Sequence, residues 1–127
     1  LTVLRTGAAT AVAARALANP GPTAALIVGC GEQGRISVQS LARVRPLERV
    51  HLYDADPARA RALASDAAPT LACPVEVVTD VRSAARRCGV IVTCTPSHQP
   101  LLDRDDVAPG TFIAAVGADH PHKLEIA

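Results

Sequence analysis

Three glycines and one aspartate are the residues of this chain whose types and spacing most directly suggest chemistry. Gly29, Gly31 and Gly34 follow the apolar run 24–28 in a G-x-G-x-x-G pattern, and Asp54 lies twenty residues beyond the last glycine, after a second apolar run. Glycines at this spacing permit a tight turn and let backbone N–H groups approach a pyrophosphate, while the acid can accept hydrogen bonds from ribose hydroxyls. The pattern predicts a dinucleotide site.

Charged residues around the second apolar run predict which dinucleotide is bound. A carboxylate at Asp54 would repel a 2′-phosphate, and Asp56 adds to that repulsion, so NAD is favoured over NADP. Arg59 and Arg61 could weaken this preference, but both fall within a predicted helix, where we expect them to face solvent. The alternative for the whole pattern is a glycine turn in an α/β protein that binds no nucleotide.

Two further loops contain side chains capable of chemistry. Residues 93–98 (Thr-Cys-Thr-Pro-Ser-His) carry hydroxyls that could line a cofactor, although an ordinary turn explains them equally well. Residues 116–125 combine Asp119, two histidines and Lys123, the only lysine in the chain. Both loops are predicted to follow strands, at the edge of an open α/β sheet where ligands bind. On spacing alone, this second loop is either a catalytic loop or a solvated charged one.

Alternating helices and apolar strands position these loops. An alanine-rich helix is predicted over 1–18 and is ended by Asn-Pro-Gly-Pro. Strands are predicted over 24–28, 49–54, 75–79, 90–94 and 111–116, and a helix over 32–44. Two further helices are predicted to begin at N-caps: one at Asp56, with Pro57 in its first position, and one at Asp80, ending near residue 87. Near-continuous apolar strands alternating with helices indicate a Rossmann-type doubly wound parallel sheet with helices on both faces, preceded by an N-terminal helix.

Composition narrows the class of protein. The 127 residues are 49% hydrophobic and carry a formal net charge of +1. Without a basic tract or an aromatic platform, we expect no nucleic-acid partner. The sequence has no apolar run of membrane-spanning length and no signal peptide, so we expect no membrane association. The four cysteines lack C-x-x-C pairing and zinc-type histidine spacing, so we expect neither a metal nor a disulfide, and a cytoplasmic location.

Five segments together carry a resemblance to a known family. They are residues 4–9 (Leu-Arg-Thr-Gly-Ala-Ala), 29–33 (Gly-Cys-Gly-Glu-Gln), 53–57 (Tyr-Asp-Ala-Asp-Pro), 93–97 (Thr-Cys-Thr-Pro-Ser) and 116–119 (Val-Gly-Ala-Asp), the last continuing through Lys123 and Glu125. In their order and spacing across the whole chain, these segments resemble the ornithine cyclodeaminase/mu-crystallin family. The Arg-Thr-Gly-Ala-Ala and Val-Gly-Ala-Asp motifs are far more specific than the glycine pattern.

The resemblance implies roles for individual residues. Arg5, in the Arg-Thr motif with Thr6, would reach both the cofactor and the substrate carboxylate, whose geometry suits a guanidinium. Asp119 matches the family's proton donor and acceptor. The other cofactor contacts implied are Glu32 and Gln33 at the pyrophosphate, Thr95 along the bound NAD, Val116, Gly117 and Ala118 beside the nicotinamide, and Lys123. No family role can be assigned to His120 or His122.

The activity that the resemblance implies is NAD-dependent conversion of L-ornithine into L-proline and ammonia. NAD takes a hydride from the α-carbon, the δ-amine attacks the resulting imine, ammonia leaves, and the hydride returns to the cyclic imine. Asp119 would manage the protons. Alternatives in the family are an NAD(P)-dependent amino-acid dehydrogenase, in which water attacks the imine, and a ketimine or imine reductase. A non-enzymatic mu-crystallin-like ligand binder is less favoured, because Arg5, Asp119 and Lys123 are retained.

The resemblance also implies a domain organisation. In this family the substrate pocket is shared with a second domain, which also supplies the usual dimer interface. The chain begins within a helix that has no cap, and the sixth strand of a full doubly wound sheet is missing. We therefore expect residues 1–127 to be the NAD(P)-binding Rossmann domain of a longer two-domain homodimeric enzyme, whose substrate is a small amino acid or imine.

Overall fold

The computed structural model of the chain describes residues 2–18, 21, 23–96 and 100–116. Its helices and strands alternate along the sequence as predicted. In chain order they are α1 (Thr2–Leu17), β1 (Thr23–Val28), α2 (Glu32–Val44), β2 (Leu47–Tyr53), α3 (Pro57–Ala67), β3 (Val75–Val77), α4 (Val81–Ala85), β4 (Val90–Thr93), a 3₁₀ turn (Arg104–Asp106) and β5 (Phe112–Ala115). The third strand and fourth helix are shorter than predicted.

The five strands form one parallel sheet in the order β3-β2-β1-β4-β5. The chain moves from the centre to one edge through β1, β2 and β3, then crosses back to β4 and continues outward to β5. This reversal leaves a crevice outside the carboxyl ends of β1 and β4, where open α/β sheets bind ligands. The arrangement confirms the predicted doubly wound fold.

Alternate residues of the central strands divide the core into two layers. Ile27 and its neighbours on one face pack against buried residues of α1, α2 and α3, among them Leu41 and Leu63. Leu26 and Val28 on the other face pack with buried residues of α4 and with the segment after β4. Side chains point to opposite faces at successive strand positions, so both faces are covered, as the apolar strands predicted.

Capping residues explain where two of the helices begin. The Asp56 side chain accepts a hydrogen bond from the Ala58 N–H at 3.0 Å, and Pro57 occupies the first position of α3. The Asp80 side chain accepts from the Ser83 N–H at 3.1 Å at the start of α4. Each bond satisfies a backbone donor that the helix itself leaves without a partner, so both predicted caps are confirmed.

Helix α1 packs closely along α2. A Cβ at Gly7 would collide with the Ile36 side chain near the start of α2. At the other end, the Ala18 carbonyl accepts a hydrogen bond from Arg45 just after α2. The two helices therefore begin at the same edge of the sheet, beside the crevice. Within the part of the chain that the structure describes, no helix is long and apolar enough to cross a membrane.

Candidate functional site

The crevice at the carboxyl ends of the strands brings together residues from three separate loops. It measures about 310 Å³, within the range of small-molecule sites. Four of its lining residues were predicted as cofactor contacts: Gly29, Gly31, Asp54 and Thr95. The others are Ala55, Asp56, Arg59, Cys94 and Pro96. Strand order alone therefore assembles residues that lie more than sixty positions apart in the sequence.

The three glycines of the turn have different reasons to be glycine. Gly29 has φ of 102°, in the left-handed region, and a Cβ there would lie 2.6 Å from the Cys94 carbonyl oxygen. A Cβ at Gly34 would collide with the Gly29 carbonyl, so α2 could not approach β1 so closely. A Cβ at Gly31 would meet nothing within 4 Å. The fold thus requires the first and third glycines, whereas Gly31 presents bare backbone to the crevice.

Helix α2 directs its N-terminus at this bare backbone. Its N-cap is Gly31, and no side chain caps the helix there. The positive end of the helix dipole and the first-turn N–H groups favour an anion at this position. Glu32 is exposed and Gln33 half-buried in that first turn. Together with the open space at Gly31, this N-terminus fits the pyrophosphate of a dinucleotide.

Asp54 is anchored by two backbone donors. One carboxylate oxygen accepts a 2.8 Å hydrogen bond from the Cys30 N–H, and the other accepts a 2.8 Å bond from the Asp56 N–H. Beside it, the Gly29 N–H donates to the Tyr53 carbonyl at 2.8 Å. A carboxylate offers about four acceptor positions, so two remain for the hydroxyls of a ribose. Asp54 is therefore fixed in orientation while still able to accept ligand bonds.

Arg59 is exposed, as the sequence predicted, but it also lines the crevice. Its Nε lies 4.0 Å from an Asp56 carboxylate oxygen, although 67% of the side chain is exposed. Residues three apart in a helix lie on the same side, so the Asp-x-x-Arg spacing places Arg59 beside the N-cap. That spacing was the available signal. Arg61 is exposed and is not among the crevice residues.

Cys30 lies inside the turn but is not a reactive group. Its thiol is buried and donates to the Tyr53 carbonyl oxygen at 3.3 Å. Burial, assisted by the neighbouring Asp54 carboxylate, raises the pKa of Cys30 to about 12. Since the thiolate is the nucleophilic form, Cys30 acts as a small buried side chain that fills the turn.

Of the remaining predicted site residues, the structure describes Arg5, Thr6 and Val116. Arg5 is exposed and Thr6 half-buried on the first turns of α1, at the same edge of the sheet as the crevice, although neither lines it. Val116 follows β5, where its N–H donates to the Thr93 carbonyl at 2.8 Å. Gly117, Ala118, Asp119, Lys123 and the two nearby histidines lie outside the described residues.

The proteins to which this chain is similar point to one family. A sequence model of the ornithine cyclodeaminase/mu-crystallin family matches residues 1–127. An ornithine cyclodeaminase of Agrobacterium tumefaciens is 34% identical over 128 residues, covering 99% of this chain and 36% of that protein. The chain spans less than two fifths of the length of the curated relatives it matches.

Two solved structures resemble this fold closely. One is an archaeal alanine dehydrogenase dimer with bound NAD, with a TM-score of 0.92 and 36% identity over 99% of this chain and 38% of that one. The other is the iminosuccinate reductase of Paracoccus denitrificans in complex with NAD⁺, with a TM-score of 0.89 and 34% identity over 98% of this chain and 38% of that one.

Proposed function

Because the chain belongs to the ornithine cyclodeaminase/mu-crystallin family, we propose that its crevice binds NAD in an enzyme acting on a small amino acid or imine. The observation that carries this proposal is the anchored Asp54 carboxylate beside the bare backbone of Gly31. The Asp54 carboxylate supplies oriented acceptors for a ribose, and the backbone at Gly31 allows a pyrophosphate to approach closely. The NAD complexes of the alanine dehydrogenase and the iminosuccinate reductase support the choice of cofactor.

The proposed reaction is the conversion of L-ornithine into L-proline and ammonia, as the similarity to an ornithine cyclodeaminase suggests. When bound, NAD supplies a hydride acceptor for the α-carbon and a hydride donor for the cyclic imine. The residues of this chain hold and orient the reactants. Arg5 would bind the substrate carboxylate from α1, and Asp119 would accept and return protons at the reacting amines.

An amino-acid dehydrogenase or imine reductase is the second candidate. The similarity to the NAD-bound alanine dehydrogenase and iminosuccinate reductase favours it. The proposed roles of Arg5, Asp54 and Asp119 stay the same in this case. The reactions differ at the imine. In a dehydrogenase, water attacks the imine in place of the δ-amine, which yields a keto acid and leaves NADH as a product. In a reductase, the imine is the substrate that enters the site.

We further propose that the 127 residues form the cofactor domain of a longer, two-domain protein that acts as a dimer. The support for a longer protein is the small share of its relatives' length that the chain spans. The support for a dimer is the dimeric alanine dehydrogenase. Residues outside this segment would then complete the substrate pocket, and they would decide which amino acid is used.

One assay on the complete protein separates these reactions. The protein is incubated with L-ornithine and NAD while ammonia, proline and NADH are followed together, and in parallel with L-alanine and NAD and with cyclic or acyclic imines and NADH. Ammonia and proline without accumulated NADH support the cyclodeaminase. NADH formation with a keto acid supports the dehydrogenase, and NADH consumption with an imine supports the reductase. Absence of turnover with all of these substrates would refute the enzymatic proposal.

A further inference from the structure

Three charged side chains lie at the end of the crevice where we propose that the ribose binds, and they differ in how firmly their contacts hold them. Each oxygen of Asp54 accepts one hydrogen bond from a backbone N–H group, which fixes the orientation of the carboxylate. Asp56 uses one oxygen to cap α3, and its other oxygen lies 4.0 Å from Arg59. Arg59 is the only cation among the described residues that line the crevice. We call this end of the crevice, formed by Asp54, Asp56 and Arg59, the rim. The charge of Arg59 is the feature of the rim that could attract a further anionic group.

The ion pair that holds Arg59 is weak. The Asp56 and Arg59 side chains are 60% and 67% exposed. Ion pairs as exposed as this one contribute little to stability, because water and salt screen them. A guanidinium makes two parallel bonds with a phosphate and binds it more tightly than it holds a distant carboxylate. Arg59 is thus free to exchange Asp56 for a phosphate, provided that the surrounding negative charge permits one to enter.

The local charge balance decides whether a phosphate can enter. Two carboxylates against one guanidinium leave one net negative charge at the rim, which repels a 2′-phosphate but admits the neutral ribose of NAD. Removing the charge of Asp54 with Asp54→Asn would leave one side-chain oxygen where two backbone N–H groups now each have their own acceptor. Removing the charge of Asp56 leaves those bonds in place, neutralises the rim and releases Arg59.

We infer that Asp56 and Arg59 form the pair that determines whether the site selects NAD or NADP. With Asp56 ionised, Arg59 is paired and the rim is negative, so NAD is selected. With the charge of Asp56 removed, Arg59 binds the 2′-phosphate of NADP. This inference rests on the proposed binding of a dinucleotide. It makes the ion pair between Asp56 and Arg59 the determinant of specificity, beyond the repulsion of a 2′-phosphate by Asp54 and Asp56 that the sequence predicted.

The test is calorimetric titration of NAD and NADP into the complete protein and its variants. Asp56→Asn removes the charge but keeps a side-chain oxygen that can cap α3. We expect this variant to raise the affinity for NADP relative to NAD on the order of tenfold. The gain should disappear in the double variant Asp56→Asn with Arg59→Ala. Arg61→Ala, which removes an exposed arginine of the same helix outside the crevice, should leave the ratio unchanged.

The outcomes separate this inference from the function on which it rests. If the wild-type protein binds NAD but Asp56→Asn leaves the ratio unchanged, the inference is wrong and the proposed function stands. The same holds if the gain survives removal of Arg59. If the wild-type protein binds neither dinucleotide, both are overturned. Asp56→Ser, another good N-cap, replaces Asp56→Asn if the melting temperature of the latter shows that α3 is destabilised.

Discussion

The backbone N–H of Cys30 donates a 2.8 Å hydrogen bond to the carboxylate of Asp54, which joins the glycine turn to the end of β2. The sequence suggested only a ribose contact for this aspartate. The structure adds a second role, because the same carboxylate orients the turn and, through the Asp56 N–H, the start of the next helix. The glycine turn and the loop that follows β2 are therefore already joined by Asp54 before a ligand binds.

Replacing Asp54 should therefore weaken NAD binding through both roles. We expect Asp54→Ala to reduce the free energy of NAD binding by about 1–3 kcal/mol, the usual contribution of hydrogen bonds to a charged group. Isothermal calorimetry measures the change. Asp105→Ala, which removes an exposed acid in the 3₁₀ turn, is the matched control and should bind NAD like the wild type. A folded Asp54→Ala protein with unchanged affinity would exclude the carboxylate from the site.

The second and third glycines of the turn should respond differently to the same substitution. Gly34→Ala places a Cβ against the Gly29 carbonyl, so we expect the free energy of unfolding to fall by about 1–3 kcal/mol. Gly31→Ala meets open space and has an ordinary φ of −82°, so stability should be nearly unchanged. NAD affinity should nevertheless fall in Gly31→Ala, because the added methyl group occupies the approach of the pyrophosphate.

Chemical denaturation and NAD titration of the two variants provide the check. Each variant is the control for the other, since both add one methyl group to the same turn. Equal stability losses would show that Gly31 is also required by the fold. Normal NAD affinity in Gly31→Ala would show that the pyrophosphate does not pass over this residue.

Asp119→Asn should separate chemistry from binding. The amide cannot accept a proton from the substrate amine, so we expect turnover by the complete protein to be lost. NAD affinity should remain close to that of the wild type, because the proposed dinucleotide contacts lie elsewhere. Steady-state kinetics and calorimetry on the same preparation measure both quantities. Retained turnover would remove Asp119 from the mechanism.

His51 should make the fold sensitive to mild acid. Burial lowers the pKa of this histidine below its usual value of 6.5; Glu76 opposes that shift, while Arg87 and Arg49 add to it. The unfolded chain therefore takes up a proton at a higher pH than the folded chain does. Stability should be full above about pH 6.5 and should decrease as the pH falls below it.

Denaturant unfolding between about pH 5.5 and 7.5 measures this dependence. His51→Leu should flatten the profile, since it removes the titrating group from the buried position. Glu76→Gln should steepen it, because Glu76 is the neighbour that raises the histidine pKa. Identical slopes for the wild type and His51→Leu would show that another group is responsible.

Much of the fold followed from local sequence patterns. The caps at Asp56 and Asp80 and the alternating apolar strands act over a few residues, so their positions are readable along the chain. The glycine turn and the distant Asp54 were also readable, because a ligand of fixed length sets their spacing. The crevice could be placed for a different reason: the strand order of a doubly wound sheet determines which loops meet.

Other features depend on how the elements pack together. The contact of Gly7 with α2 is set by the approach of two helices, and no local pattern encodes it. Arg59 is exposed as expected, but its place at the crevice depends on the rotation of α3 about its axis, which is a tertiary property. The bond between Cys30 and Asp54 joins residues 24 positions apart, and only the pairing of β1 with β2 brings them together.

A crystal structure of the protein with bound NAD tests the proposed dinucleotide site most directly. We expect the adenosine ribose hydroxyls about 2.5–3.0 Å from the Asp54 carboxylate and the pyrophosphate against the backbone at Gly31. NAD bound away from Asp54, for example in the groove lined by Gln39, Arg43 and Thr70, would contradict the assignment of this site.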